Sequence, residues 1–372
     1  MKKLGFGTMH LPLLNAEDQK SIDLEQFNKM VDVFMKRGFT YFDTAYPYHD
    51  GASETAVREA VVKRYPRDSF VLADKMPLYL IHSAEDYPRI FEEQLEKCGV
   101  EYFDYYLLHN LGRDGYPIVQ DTDGFGFIRK LKEEGKAKQI GFSFHDDAET
   151  LQMILNDHPE VDFVQLQINY LDWEGAVAQS GKCYEVAKKH GKKVTVMEPV
   201  KGGTLARLPA DAQALFDAFY QKEAVKPSEA SLAIRYVASL SEVQVVLSGM
   251  SDTTQLDDNT SYMMDFKPLS KEEYALTEKI TEILKKTIKV PCTSCRYCME
   301  VCPMNINIPG YFGLLNLYAV TGKKTNMYYN RYSLNHGKAS ECLHCGLCEG
   351  NCPQHIAIRD TLEEFAALYE NK

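Results

Sequence analysis

Eight of the ten cysteines in the sequence fall into two short runs near its C-terminal end, and both runs have the same spacing. The runs are Cys292-x2-Cys295-x2-Cys298-x3-Cys302-Pro303 and Cys342-x2-Cys345-x2-Cys348-x3-Cys352-Pro353. Three thiolates this close together can surround one corner of an iron–sulfur cubane, while the turn that follows carries the fourth thiolate away. The spacing therefore predicts two 4Fe–4S clusters, which are one-electron cofactors.

The proline-terminated runs resemble those of bacterial two-cluster ferredoxins, in which the fourth cysteine of each run binds the other cluster. The resemblance implies two crossed ligand sets, namely Cys292, Cys295, Cys298 and Cys352 for one cluster and Cys302, Cys342, Cys345 and Cys348 for the other. Structural zinc is the alternative, but zinc sites usually pair two C-x2-C units across a longer loop and need only four thiolates. The other two thiols, Cys98 and Cys183, are expected to be buried core residues without a role.

A second group of reactive side chains follows three successive apolar runs. Asp43 lies near the end of one run and Tyr48 just beyond it, Lys75 ends the next, and His109 ends the third. Ionisable residues at the C-terminal ends of neighbouring barrel strands meet at the barrel mouth, where such enzymes carry out their chemistry. Any one of these residues could be an accident of a turn or a rim, but together they indicate a catalytic site.

Residues 1–264 repeat one pattern, in which a short apolar run is followed by an amphipathic stretch with helical spacing. The apolar runs are 4–9, 39–45, 70–75, 102–109, 137–144, 163–169, 193–199 and 243–249. The helical stretches are 24–37, 54–64, 84–97, 125–134, 148–156, 179–190, 228–239 and 253–263. Strands buried on both faces read as continuous apolar runs. Eight such units favour a (β/α)8 barrel, with an open doubly wound sheet as the alternative.

Two further helical stretches guide the prediction of domain boundaries. One, at 211–226, interrupts the seventh crossover, and the other, at 271–286, follows the barrel pattern. We expect a barrel at 1–265, a helical linker at 266–290 and a cluster domain at 291–372. The 39 residues between Cys302 and Cys342 are rich in Leu, Tyr and Phe with helical spacing. They resemble the link in helical dicluster ferredoxin domains, so the predicted fold is an α/β barrel followed by a small, mostly α-helical dicluster domain.

The first 265 residues closely resemble the aldo-keto reductase family, and Asp43-Thr44-Ala45-x-x-Tyr48 is the most specific motif. The resemblance implies a catalytic tetrad of Asp43, Tyr48, Lys75 and His109, with a nicotinamide cofactor delivering hydride to a carbonyl carbon. Tyr48 would donate a proton to the carbonyl oxygen, and His109 would orient the carbonyl. A phenol has a pKa of about 10 and is a reluctant acid at neutral pH. We therefore expect the Lys75 ammonium to lower the pKa of Tyr48.

The same resemblance implies where the nicotinamide cofactor binds. Ser143 and Gln165 match positions that hydrogen-bond the nicotinamide carboxamide. Ser248, Gly249 and Asn259 match the segment that clamps the phosphate and adenosine end.

Two positions depart from the common pattern of the family. Met197 stands where many members stack a tyrosine on the nicotinamide, and Gln255 stands where many place an arginine for the 2′-phosphate. NADP and NAD are therefore both candidate cofactors. The segment Met197-Glu198-Pro199, followed by Lys201-Gly202-Gly203, resembles the branch of the family that carries an attached ferredoxin module.

The charge balance and the cysteine pattern exclude several classes of function. The net charge is −11 and no long basic run is present, so we expect no nucleic-acid partner. No apolar run approaches the length of a membrane span, and the N-terminal stretch lacks a small-residue cleavage site. Clustered cysteines indicate metal chemistry in a reducing compartment. We expect a cytoplasmic protein.

Three functional hypotheses follow from these patterns. The first is an enzyme that interconverts a small carbonyl and alcohol while its clusters exchange electrons with a ferredoxin or flavoprotein. The second is the same enzyme with purely structural clusters, and the third is a redox sensor or electron carrier that uses the barrel as a scaffold. The substrate is not readable, although Tyr79, Trp173 and residues 112–124 are candidates to line the pocket.

Overall fold

The structure of the protein is a computed structural model that describes residues 2–15, 18–113, 115–175, 178–286, 289–290, 292, 297–352 and 356–370. Cys295, a predicted cluster ligand, lies outside the described residues. No described helix is both long and apolar enough to span a membrane.

Eight parallel strands close into a barrel in which each strand pairs with its neighbours in sequence, and the last pairs with the first. The strands are β1 (Leu4–Gly7), β2 (Tyr41–Asp43), β3 (Val71–Pro77), β4 (Phe103–Leu111), β5 (Ala137–Phe144), β6 (Phe163–Gln167), β7 (Lys193–Met197) and β8 (Val243–Gly249). The closed order confirms the predicted (β/α)8 barrel over the open sheet.

Helices lie between and after the strands. Those of the first 265 residues are α1 (Leu24–Lys36), α2 (Ser53–Val57), α3 (Asp86–Cys98), α4 (Tyr116–Asp121), α5 (Gly124–Glu133), α6 (Ala148–Asp157), α7 (Ser180–Lys189), α8 (Ala210–Tyr220), α9 (Glu229–Ala238) and α10 (Thr253–Met264). They are followed by α11 (Lys271–Lys285), α12 (Tyr297–Glu300), α13 (Ile308–Thr321), α14 (Asn326–Ser333), α15 (Leu347–Gly350) and α16 (Ile358–Tyr369).

Local sequence explains why these helices start and which face they bury. Five of the described helices begin behind a side chain that accepts a hydrogen bond from the backbone N–H three residues on, at Asp23, Asp147, Ser228, Asp252 and Asn307. Such caps satisfy backbone donors that have no partner inside the helix. Helix α1 buries the stripe Phe27, Met30, Val31 and Phe34, the spacing of one helical face.

Three predicted segments differ from the observed elements. The predicted helix 54–64 is α2 followed by a π-helical turn, Arg58–Val62, in which the Lys63 N–H bonds Arg58 C=O across five residues. The predicted loop 112–124 contains α4, which starts with a proline in its first turn. The helix predicted at 211–226 is α8, and it ends at Tyr220.

An apolar layer fills the inside of the barrel, and the predicted site residues lie just beyond it along the strands. Its buried members are Tyr41, Ala73, Leu107, Phe163, Val245 and Leu247. Gly141 of β5 leaves room for this layer, because a Cβ there would lie 2.3 Å from the Phe163 carbonyl oxygen. Successive strand side chains alternate between faces, so the residue two positions further along each strand faces the same interior. Those residues include Asp43, Lys75, His109, Ser143 and Gln165.

Contacts divide the chain into two compact units. One comprises most of residues 1–208 together with Tyr220–Ala275, and the other is formed chiefly by Pro209–Phe219 and Leu276–Lys372. Residues predicted as linker start in the first unit because Glu273 of α11 accepts hydrogen bonds from Arg235 at 2.6 and 3.0 Å and from the Tyr220 hydroxyl at 2.8 Å.

The second unit has an apolar core of its own. The Tyr311 ring of α13 stacks on Phe365 of α16 at 4.6 Å between centroids, and Phe365 stacks on Tyr369 at 4.5 Å. Helix α13 ends at Gly322, whose φ of +65° suits a residue without a Cβ. The described C-terminal residues are mostly helical, which confirms the predicted fold of this region.

Candidate functional site

The four predicted catalytic side chains meet at the barrel mouth. Lys75 of β3 is fully buried, and its Nζ lies 2.6 Å from Asp43 Oδ1 and 2.6 Å from the Thr44 carbonyl oxygen. The same Nζ lies 4.8 Å from the centroid of the Tyr48 ring. Tyr48 meets His109 edge to face, with ring centroids 6.1 Å apart. Tyr48 and His109 are half-buried, so both side chains stay partly accessible.

Ionisation of these groups follows from burial and from the lysine. Burial would lower the pKa of Lys75, but the adjacent Asp43 carboxylate raises it, so Lys75 is an ammonium. Burial raises the pKa of Tyr48, and the ammonium offsets only part of that rise. Lys75 lowers the pKa of Tyr48, as expected, but the net pKa is raised because desolvation of a phenolate outweighs one neighbouring charge. Burial and the Lys75 ammonium hold the pKa of His109 well below its usual value, so its imidazole is neutral.

A hydroxyl network fixes the backbone around Asp43. The Thr8 hydroxyl bonds the Asp43 carbonyl oxygen at 2.9 Å and the Ser53 hydroxyl at 2.7 Å, and Ser53 also bonds the Thr44 hydroxyl at 2.9 Å. All of these hydroxyl groups are fully buried. Buried polar groups that satisfy one another hold a single geometry, which keeps the Asp43 carboxylate against the lysine.

The turn after Tyr48 is anchored by a buried histidine. His49 and Asp50 have φ of +53° and +51°, a region that non-glycine residues rarely adopt. His49 Nε2 accepts the Leu11 N–H at 3.0 Å, and its Nδ1 lies 3.0 Å from the Gln19 carbonyl oxygen. These bonds stabilise the turn that aims Tyr48 at the mouth.

The predicted nicotinamide residues line the same interior face. Ser143 of β5 accepts the Asn110 N–H at 2.7 Å. Gln165 of β6 donates from Nε2 to the Met197 sulfur at 3.6 Å, while its Oε1 is buried and has no hydrogen-bond partner among the described residues. An unpaired buried acceptor is costly, so Gln165 fits a ligand that presents an amide N–H.

The predicted phosphate and adenosine segment lies at β8 and α10. Asn259 donates to the Ser248 hydroxyl at 2.9 Å and accepts from the Tyr262 hydroxyl at 2.7 Å. Gly249 lies so close to His10 that a Cβ would be 2.8 Å from its ring. Gln255 is exposed and bonds the Ser251 N–H at 2.9 Å, so the start of α10 carries no arginine there.

A further polar group at the mouth was not predicted. Asp172 bonds Lys201 at 2.5 Å, Gln167 at 2.8 Å and Asn169 at 2.9 Å. Burial opposes ionisation of Asp172, but Lys201 and the two amides lower its pKa. Glu198 has φ of +56° and accepts the Gly202 N–H, at 2.6 Å, on its carboxylate. The signal in the sequence was the run of polar residues after β6. Their partners could not be identified from it, because Lys201 lies 29 residues beyond Asp172.

Two residues considered for the substrate pocket have different settings. Trp173 packs against Tyr184 and Tyr236, with ring centroids 5.8 and 5.9 Å apart. Tyr79 is 62% exposed. Trp173 is therefore held by aromatic packing, while Tyr79 is free to contact a ligand.

Four cysteines gather around one cavity in the second unit. Cys302, Cys342, Cys345 and Cys348 line one common space. The other walls are mainly apolar and include Met304, Ile306, Ile308, Leu343 and Leu362. Four thiols that face one another across apolar walls suit an iron–sulfur cubane, and the set includes Cys302, the fourth cysteine of the other run.

The described members of the other predicted ligand set lie in the same unit. Cys298 is buried in its apolar core, and Cys292 and Cys352 pack against that core. The short helices α12 and α15, which carry Cys298 and Cys348, contact each other. The barrel thiols Cys98 and Cys183 are buried, as predicted.

Comparison with known proteins places both parts of the chain. The sequence model of the aldo/keto reductase family matches residues 3–282. The chain belongs to this family. A model of the 4Fe-4S dicluster domain matches residues 291–357. Both matches confirm the resemblances noted in the sequence, and together they identify an aldo-keto reductase oxidoreductase with a C-terminal 4Fe–4S dicluster domain.

Similar proteins cover the barrel part of this aldo-keto reductase. A probable aldo-keto reductase of Glycine max is 32% identical over 46% of this chain and 49% of its own length. L-galactose dehydrogenase of Arabidopsis thaliana is 24% identical over 65% of this chain and 79% of its own. The chain thus spans about half the length of the Glycine max relative.

Solved structures share the fold. An aldo-keto reductase from Klebsiella pneumoniae in complex with NADPH is 23% identical and covers 75% of this chain and 90% of its own, with a TM-score of 0.59. An aldo-keto reductase from Bacillus halodurans in its holo form has a TM-score of 0.59 at 22% identity and covers 75% and 91% of the two chains.

Proposed function

We propose that this aldo-keto reductase interconverts a small carbonyl compound and its alcohol with a nicotinamide cofactor, and exchanges electrons through two 4Fe–4S clusters. The observation that carries the proposal is the buried Lys75–Asp43 pair, with Nζ 4.8 Å from the Tyr48 ring centroid and the neutral His109 beside it. A buried ammonium held against a phenol is typical of a proton-transfer site.

The side chains divide the work at the mouth. Tyr48 gives its proton to the carbonyl oxygen, and the Lys75 ammonium stabilises the phenolate that this leaves. His109, as a neutral imidazole, donates a hydrogen bond that orients the carbonyl. A nicotinamide bound at this face would supply the hydride. Gln165 Oε1 and Ser143 are placed to bind its carboxamide, and Ser248 and Asn259 to hold its far end.

NADPH is the first cofactor to test, because a structural neighbour was solved with it. Gln255, however, offers no positive charge for a 2′-phosphate. NADPH and NADH are therefore compared side by side in each assay.

The cysteines of the second unit hold the clusters, which would supply one-electron transfer. Cys302, Cys342, Cys345 and Cys348 line one cavity, and the second set is Cys292, Cys295, Cys298 and Cys352. Because hydride chemistry needs no cluster, the clusters imply an electron partner, for which a ferredoxin or flavoprotein is the expected class. Purely structural clusters are the second candidate, since six of these cysteines are also part of, or packed against, the apolar core of the unit.

The barrel reaction is tested by Tyr48→Phe in the anaerobically purified protein. With 4-nitrobenzaldehyde as the probe carbonyl, we expect kcat/KM to fall by about 10²–10⁴-fold with iron content unchanged. Tyr46→Phe is the matched control, because Tyr46 lies two residues away and its hydroxyl bonds Glu93 at 3.0 Å. Equal rates in wild type and Tyr48→Phe would contradict the proposed role.

The cluster role is tested by adding NADPH or NADH to the oxidised protein and recording its EPR spectrum. Reduction of the clusters by either nucleotide would support electron exchange and direct the search to a partner protein. Clusters that stay oxidised while the probe carbonyl is turned over would support the structural alternative.

A further inference from the structure

Behind the catalytic lysine lies a buried polar group that the tetrad does not include. Asp74 precedes Lys75 on β3, and because neighbouring strand residues face opposite sides, it points away from Tyr48 toward the helices. Glu54 of α2 and Cys98 of α3 meet it there, with oxygen and sulfur atoms of all three within 4.8 Å of one another. Both carboxyl groups are fully buried.

These side chains hold both backbone groups of the lysine. Asp74 Oδ1 accepts the Lys75 N–H at 2.8 Å, while the Cys98 thiol lies 3.6 Å from Asp74 Oδ2. On the other side of the residue, Gln94 Nε2 donates to the Lys75 carbonyl oxygen at 3.0 Å and to Glu54 Oε1 at 3.2 Å. The orientation of the lysine backbone therefore depends on the Asp74–Glu54 pair.

Among the residues that the structure describes, too few cations reach this pair to neutralise two carboxylates. Lys97 Nζ lies 3.4 Å from Glu54 Oε2 and pairs also with Glu93 at 2.8 Å. The Lys75 ammonium is turned to the opposite face, toward Asp43. Two buried carboxylates this close cannot both ionise without strong repulsion. Burial and the Glu54 carboxylate together raise the pKa of Asp74 well above its usual value.

We infer that Asp74 keeps a proton that it shares with Glu54, and that this neutral acid is a positioning residue that holds Lys75 beneath Tyr48. The groups facing the pair are Lys97, Cys98, Gln94 and the Tyr106 hydroxyl, which donates to Gln94 Oε1 at 2.6 Å. A metal ion at the same carboxylates is disfavoured by the Lys97 ammonium. The inference rests on the proposed function, because it names a residue that acts through the catalytic lysine.

The shared proton is tested by infrared spectroscopy of the intact, iron-loaded protein in H₂O and D₂O. The wild type minus Asp74→Asn difference spectrum should contain the C=O band of a protonated carboxylic acid. Glu93→Gln is the matched control, because Glu93 pairs with Lys97 on the exposed side and should leave that band in place. A difference spectrum without the acid band would overturn the inference. The infrared measurement needs no turnover, so its result does not depend on whether the proposed reaction occurs.

The positioning role is tested by comparing two replacements of Asp74 with NADPH and 4-nitrobenzaldehyde. Asp74→Asn keeps an acceptor for the Lys75 N–H and a donor for Glu54, so kcat should stay within about threefold of wild type. Asp74→Leu removes the acceptor, and kcat should fall by about tenfold or more with KM for NADPH little changed. Wild-type kcat in Asp74→Leu, or equal losses in both variants, would overturn the role. If Asp74→Leu does not fold, Asp74→Asn and the infrared band still decide.

Discussion

The barrel site and the cysteine unit reach their geometry in different ways. At the barrel mouth charged groups and hydroxyls pair with one another: Asp43 with Lys75, Thr8 with Ser53, and Asp172 with Lys201. In the second unit the four thiols of one cavity face mainly apolar walls. The barrel site is therefore organised by contacts within the protein, whereas we expect the proposed clusters to complete the interior of the cysteine unit. This difference predicts which part survives removal of the cofactors.

The largest expected effect comes from removing iron. Because cluster binding and folding are coupled when ligands line the core, hydrogen-exchange protection in α13 and α16 should fall by about 10²-fold or more. Protection in β3 to β5 should not change. Cys345→Ser should lower iron from about eight to about four per chain, while Cys183→Ala keeps all of it. Full protection of α13 in the iron-free protein would refute the contrast between the two regions.

The next effect tests whether the buried Lys75–Asp43 pair contributes to stability, to catalysis or to both. Lys75→Met leaves the Asp43 carboxylate buried without its counter-ion, which should cost about 3–5 kcal/mol of unfolding free energy and about 10²-fold or more in kcat. The double variant Asp43→Asn with Lys75→Met should regain most of the stability and none of the activity. Urea unfolding followed by the single tryptophan, Trp173, gives the stability. Recovery of turnover in the double variant would show that the charge pair is not catalytic.

A smaller, pH-dependent effect is expected at Asp172. Its pKa is lowered in the folded protein, so the carboxylate stabilises the fold above the unfolded pKa of about 4, and this contribution is lost as pH falls through the folded pKa. Asp172→Asn should cost about 1.5–3 kcal/mol of unfolding free energy at pH 7, and the difference in stability from wild type should shrink in acid. Urea midpoints at pH 7 and below pH 4 measure it. If the difference in stability between wild type and Asp172→Asn grew in acid, the pKa of Asp172 would be raised on folding and not lowered.

The smallest effect concerns the reactivity of the thiols, which should differ between the barrel and the second unit. Burial raises the pKa of Cys183 to about 12, and burial and Asp74 raise the pKa of Cys98. Thiolates are the reactive form, so iodoacetamide at pH 8 should modify neither residue in the folded protein. After iron removal the cysteines of the second unit should become labelled, as mass spectrometry of the peptides would show. Labelling of Cys183 before the others would contradict the burial of the barrel thiols.

The regular part of the fold is readable from sequence because its determinants are local. The runs predicted at 137–144 and 243–249 coincide with β5 and β8. The predicted helix 271–286 ends one residue after α11. The π-helical turn Arg58–Val62 was not predicted, because its register depends on packing and not on side-chain periodicity.

The convergence of the four candidate catalytic residues was predictable because each lies at or just after the end of an apolar run. The C-terminal ends of barrel strands meet at the barrel mouth. The direction of the net pKa shift of Tyr48 was not predictable, since it depends on whether burial or the Lys75 charge has the larger effect. The Asp172–Lys201 and Glu54–Asp74 contacts were also missed. Each joins residues that are far apart in sequence and lie on different elements, so no local spacing predicts the contact. The roles of the individual site residues stay predictions until the variants are measured.

The helix α8 bears on how this protein could have arisen. It lies in a crossover of the barrel, yet its contacts place Pro209–Phe219 with the C-terminal unit, and its Phe216 is fully buried. A simple fusion of two genes end to end would join complete units at a single point. Here the C-terminal unit also draws on Pro209–Phe219, a segment internal to the barrel sequence. A single cut after Ala275 would therefore leave the C-terminal unit without this segment.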